Sequence, residues 1–360
     1  MSILKIRKNR AILIFLVILF VVCNLYSQNF DLGEINGAEY IIHIPENWNG
    51  GLVMYAHGYE AVGEDIDDFE KEVDEFMEIF TSRGFAYAAS SYKKQGLIIK
   101  DGIQDTEALR TYFELNYGKP KMCIITGHSM GGIISLATIE KFPAEYDGAL
   151  PLCGWLAPVH SLLKRSLDML VIYDFLFAEN SGKIVTGDKI ISEELIRENL
   201  DSKPELAALY AEHFNLKAEQ LAEIIGFYQS VLIETRDWLK GRPVGNQETI
   251  YSGFGFIDDS LNIKVKRYSA NPAAREYFIQ YYTPTGEILD PVIALHTNYD
   301  GILPVNNYKY YEQLTKIKYT DSLYSQNYVI RDGHCNFTIE EIGNYFDKLI
   351  RWIEDRKKKK

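Results

Sequence analysis

Alternating strand-like and helix-like segments, a glycine-flanked turn where a strand runs into a helix, and a long helical stretch that interrupts the alternation together predict an α/β protein. The expected architecture is a mostly parallel sheet flanked by helices, with a large helical cap inserted into it. The 360 residues are 47% hydrophobic and 24% charged, a composition that supports a buried core.

The elements follow in order. Residues 39–44 read as an early strand, closed by Pro45 and the polar turn Asn47-Trp48-Asn49-Gly50-Gly51. The apolar run 52–56 is the next strand and stops abruptly at His57-Gly58. An acidic helix is expected over 66–82, with Phe69, Val73, Phe76 and Ile79 at helical spacing and Gly84 as its stop. A strand over 85–91 and a helix over 102–117 come next. The buried strand 123–126 runs straight into Gly127-His128-Ser129-Met130-Gly131-Gly132, a helix covers 132–142, and a strand covers 149–153. Strand, sharp turn, helix, strand is a βαβ crossover.

The pattern then changes. From 154 to 289 the chain is strand-poor, with helical spacing over 158–177, 192–200, 204–214 and 218–238. Sheet character returns at 291–297, followed by a helix over 305–314, a strand near 328–330 and a last helix over 339–353. The expected organisation is a sheet domain made of 28–153 and 290–360, carrying 154–289 as a lid.

The first 27 residues read as a signal peptide rather than part of the fold. Lys5, Arg7, Lys8 and Arg10 precede an apolar run of 13 residues from Ala11 to Cys23, too short to span a bilayer comfortably. Ser27 is a sensible cleavage position before Gln28, and a retained anchor is the competing reading. Cleavage implies a secreted or periplasmic protein with no stable membrane insertion. It removes four of the 38 basic residues and none of the 50 acidic ones, so the balance goes from −12 to −16. Such a surface repels nucleic acid. The three cysteines that remain match no zinc spacing, so no metal is expected. Cys123, inside an apolar run, reads as a core residue.

The chemistry concentrates at four places. Gly127-x-Ser129-x-Gly131 between a strand and a helix is a nucleophile elbow, in which the serine is held exposed and the flanking backbone demands glycine. The Met130 N–H, opening the helix, is one candidate oxyanion donor, and the loop His57-Gly58-Tyr59 offers a second at the Tyr59 N–H. Of the seven histidines, His334 alone sits in a turn, Arg331-Asp332-Gly333-His334, after a late strand and before the final helix. His296 ends an apolar strand and reads as core. For the acid, Asp300 follows the strand 291–297; Asp290 lies at that strand's wrong end and Asp332 is too near His334. Ser129 as nucleophile, Asp300 as orienting acid and His334 as base is the order that a serine-based acyl transfer needs.

On these motifs, with the loop from Asp300 to Pro304-Val305, the chain resembles the α/β-hydrolase superfamily over roughly 180 residues. The resemblance implies a secreted serine hydrolase that needs no cofactor or metal and acts on a small-molecule or peptide substrate. A carboxylic ester is the expected substrate. A peptidase, aminopeptidase or amidase of the same fold is the alternative, and a non-catalytic binding protein is a third reading. The His334-Cys335 pair is also similar to that of tannases and feruloyl esterases, which carry a cysteine directly before the serine where this chain has His128. Position alone suggests instead a disulfide from Cys335 to Cys153, at the end of the strand after the nucleophile helix, which would pin His334 in place.

Overall fold

The computed structural model describes residues 30–63, 76–187 and 189–359. The expected signal peptide over 1–27 and most of the acidic helix expected over 66–82 lie outside the described residues; residues 76–81 at that helix's end are helical. Among the described residues no helix is long and apolar enough to cross a membrane.

Eight strands form one sheet: β1 (Phe30–Ile35), β2 (Ala38–His43), β3 (Gly51–Ala56), β4 (Ala86–Ser90), β5 (Met122–His128), β6 (Gly148–Leu152), β7 (Val292–Tyr299) and β8 (Tyr324–Asp332), in the order 1-2-4-3-5-6-7-8. The pairs from β4 to β8 are parallel, while β1 and β2 run antiparallel at one edge. β1 went unread in the sequence although its signal is there. Asn36 and Gly37 both have positive φ, 56° and 88°, the turn that an Asn-Gly dipeptide makes between two hairpin strands.

The inner strands are buried on both faces, as parallel strands under two helical layers must be. Leu52 and Met54 of β3 point into one layer, Val53 and Tyr55 into the other. The first layer contains α1 (Ile99–Tyr117), α2 (Met130–Lys141) and α10 (Asn306–Lys318). The second is closed by α11 (Ile339–Lys359), which buries Ile342, Phe346, Leu349 and Ile353 along one stripe. Each such side chain contributes about 1.5–3 kcal/mol on burial.

Between β6 and β7 the described chain adds no strand to the sheet. It forms α3 (Val159–Phe177), α4 (Lys183–Thr186), α5 (Glu193–Asp201), α6 (Pro204–Phe214), α7 (Leu221–Trp238), α8 (Asp258–Lys264) and α9 (Pro272–Tyr281). The helical spacing anticipates α3, α5, α6 and α7 but not α4, α8 or α9. This cap and the carboxyl ends of β3 and β5 share one apolar cluster: Ala56, Met130 and Ile133 from below meet Leu162, Leu163 and Val231 from above. Cap and sheet therefore close over the point where β5 ends.

Candidate active site

Ser129 occupies that point. It joins β5 to α2 with φ 55° and ψ −115°, a left-handed conformation that costs a non-glycine residue free energy and is held by its surroundings. Its own N–H donates to the Leu152 carbonyl at 3.0 Å, and its carbonyl accepts from Gly132 and Ile133 at 3.0 and 3.2 Å. The flanking glycines are needed because the Ala56 backbone crosses the turn. A Cβ on Gly127 would lie 2.1 Å from the Ala56 carbonyl oxygen, and one on Gly131 only 1.8 Å.

His334 and Asp300 arrive from the ends of β8 and β7. Ser129 Oγ lies 2.8 Å from His334 Nε2, and His334 Nδ1 lies 2.6 Å from Asp300 Oδ2. A carboxylate only accepts, so the imidazole proton sits on Nδ1 and Nε2 is left to accept from the serine hydroxyl. Asp300 is 3% exposed, and its Oδ1 accepts from the Ile302 and Leu303 N–H groups, each at 2.9 Å. Burial pushes its pKa up, but the hydrogen bond from His334, the electrostatic attraction of the His334 and His296 rings and the Leu303 N–H outweigh it, holding the carboxyl below its usual range. Two backbone ties stitch the histidine turn to the acid's strand: Gly333 N–H donates to Tyr299 O at 2.9 Å, and the Thr297 hydroxyl donates to Gly333 O at 2.8 Å.

The other histidines near the site are buried and neutral. His57 is 1% exposed, stacks on Tyr92 with ring centroids 4.0 Å apart, and is lowered to about 4 by burial. His128 lies 3.0 Å from the Tyr55 hydroxyl through Nδ1 and is lowered to about 3, again by burial first. His296, read from sequence as core, is fully buried and lowered to about 4 by burial, and it sits closer to the chemistry than that reading implied. Its Nδ1 donates to the Thr297 carbonyl at 2.9 Å, and its Nε2 lies 3.6 Å from Asp300 Oδ2.

Tyr59 and Met130 lie beside Ser129 and line the same space. A Cβ built on Gly58 would lie 3.8 Å from Ser129 Cβ, so the loop carrying the Tyr59 N–H passes directly beside the nucleophile. The Met130 N–H belongs to the first turn of α2, where helix geometry leaves donors unpaired and the dipole favours negative charge.

Two spaces open from Ser129. One, under the cap, is lined by Leu97, Met130, Ile133, Leu162, Val231 and Leu303, with Tyr59, Phe227 and Tyr228 as its aromatic walls and, among the described residues, no charged one. The other is a mouth lined by Gly58, Phe76, His128, His334 and Cys335. The serine thus stands between an apolar chamber and an opening beside the imidazole.

Cys153, one residue past β6, and Cys335, one residue past His334, stand with their sulfurs 1.98 Å apart, while Cys123 is free and buried. The bridge spans a sequence separation of 182 residues and anchors the histidine turn to the strand beside the elbow. Cys335→Ser is expected to lower stability by roughly 2–4 kcal/mol, chiefly by freeing the unfolded chain. Thermal unfolding with and without a dithiol reductant measures this; a wild-type Tm indifferent to the reductant would show that the bridge does not form.

No family profile matches the chain. The o-phthalyl amidase of Xanthobacter agilis is 23% identical over 406 aligned positions, covering 90% of this chain and 87% of that one. An esterase of Pyrococcus furiosus superposes with a TM-score of 0.50 at 13% identity, covering 91% of this chain and 92% of that structure.

Proposed function

Because the chain has the fold of the α/β-hydrolase superfamily, we propose that it is a serine hydrolase acting on carboxylic acid derivatives, with Ser129 as nucleophile, His334 as general acid and base, and Asp300 as the group that orients it. The observation that carries this reading is the continuous chain of contacts from Ser129 Oγ through His334 to the buried Asp300 carboxylate.

In this reading Ser129 Oγ attacks the substrate carbonyl carbon while its proton passes to His334 Nε2. The carbonyl π electrons move onto oxygen, and the N–H groups of Tyr59 and Met130 hold the oxyanion. Collapse breaks the bond to the leaving group, which takes the proton from Nε2 and departs through the mouth beside His334. Water enters by the same route, gives its proton to Nε2 and attacks the acyl-enzyme. The acid is released as the proton returns to Ser129. The acyl part occupies the apolar chamber, where a charged group would be left without a partner.

A carboxylic ester is the preferred substrate class, because an alkoxide or phenoxide leaves more readily than an amine. Amide hydrolysis is the second reading, favoured by the amidase relative. Export through the leader is likewise a proposal of the sequence. A fluorophosphonate probe should label Ser129, and initial rates on p-nitrophenyl esters of increasing acyl length, set against matched p-nitroanilides, separate the two substrate classes. Absence of labelling together with no turnover of either class would sink the hydrolase assignment.

A further inference from the structure

Helix α7 does more than roof the chamber, because it bonds to both loops that assemble the centre. Tyr228, 1% exposed, donates its hydroxyl hydrogen to the Ile302 carbonyl. The N–H of that same residue donates to Asp300 Oδ1 at 2.9 Å, so the peptide run that presents the acid is gripped from the cap on its other side. Six residues later, Glu234 Oε2 accepts from the Tyr59 hydroxyl at 2.6 Å, and Tyr59 supplies one proposed oxyanion donor through its backbone. At about 100° per residue, Phe227 and Val231, which wall the chamber, project between Glu234 and Tyr228. The face over the substrate is thus bordered by one grip on the acid loop and one on the oxyanion loop. The run before α7 adds a third tie: Lys217 N–H donates to the Tyr299 hydroxyl, which donates to Gln220 Oε1, each at 2.9 Å.

We propose that Tyr228 and Glu234 are positioning residues, and that the centre is competent only with α7 docked, its two bonds holding Asp300 and the Tyr59 N–H in register with Ser129. This rests on the serine hydrolase reading. Docking of the cap then completes the machinery as well as covering the substrate. The physical warrant is that orientation at a reacting centre is sensitive to small displacements, about 1 Å being worth up to about 100-fold in rate.

The test compares chemically matched losses in the full chain. Tyr210, also in the cap and fully buried, donates its hydroxyl hydrogen to the Met169 carbonyl at 2.8 Å and, among the described residues, bonds to neither loop. Tyr228→Phe is expected to lower kcat by roughly 10- to 100-fold with KM within about twofold, whereas Tyr210→Phe changes neither by more than about twofold. On the other flank, Glu234→Ala is expected to weaken binding of a phenylalkyl trifluoromethyl ketone, whose hydrate-like adduct needs the oxyanion donors, by about 10-fold. Glu234→Gln keeps an acceptor oxygen and should recover most of that loss. Equal kcat values for Tyr228→Phe and Tyr210→Phe, or full ketone affinity in Glu234→Ala, would overturn the proposal. Should Tyr228→Phe fail to fold, the half-buried Glu234 pair still decides it. Fluorophosphonate labelling of the wild type separates the two levels: a protein that labels and turns over while these variants behave as wild type refutes only the role of α7.

Discussion

Ser129→Ala is expected to reduce kcat by about 10⁴-fold or more on every substrate that the native protein turns over, while leaving the fold and substrate binding intact. The reasoning is local. The elbow conformation comes from backbone ties to Leu152, Gly132 and Ile133, and from glycines that let Ala56 pass, none of which involves the serine hydroxyl. Removing that hydroxyl deletes the nucleophile and little else. His334 remains oriented by Asp300, so a small residual rate from bound water is the most that survives. Initial rates and thermal unfolding on the same preparation test this. A variant that keeps rates near the native value would remove Ser129 from the mechanism.

Asp300→Asn is expected to cost a comparable factor, about 10⁴ in kcat, with a nearly unchanged shape. Here the argument turns on donors and acceptors. Oδ1 is committed to two backbone N–H donors and Oδ2 to the His334 Nδ1–H. An asparagine has one oxygen for these two tasks. Satisfying the backbone pair with that oxygen turns its NH₂ toward Nδ1, which then must accept. The imidazole proton is driven to Nε2, where it faces Ser129 and can no longer receive the serine proton. His296 Nε2, 3.6 Å from Oδ2, is an acceptor placed to favour the same flip. The result expected is slow turnover together with slow fluorophosphonate labelling. Rapid labelling with unchanged kcat would show that another group orients His334.

Much of this centre is legible in the sequence. The elbow, the loop after β3, the acid after β7 and the histidine before the last helix are each announced by a few neighbouring residues, because each depends on local geometry. Glycine is required where Ala56 crosses the turn, and an aspartate at a strand end can reach a histidine at the next strand's end. The pairing of Cys153 with Cys335 was an open choice, since spacing does not specify a bridge across 182 residues. His296 was readable as a buried strand residue, yet its place beside Asp300 follows from how β7 ends. Tyr228 and Glu234 carried no signal beyond helical spacing.

By itself, then, the sequence determined the class of fold, the order of the core strands and helices after β1, and the identity of the residues that meet at Ser129. Period-two and period-3.6 patterns, turn chemistry and strand ends are properties of short windows. Tertiary structure alone decided which cap residues grip the acid and oxyanion loops, how an apolar chamber closes over the serine, and which cysteines bond. Those contacts join residues 74, 175 and 182 positions apart. They depend on how amphipathic helices dock, and many docked arrangements bury the same apolar stripe equally well.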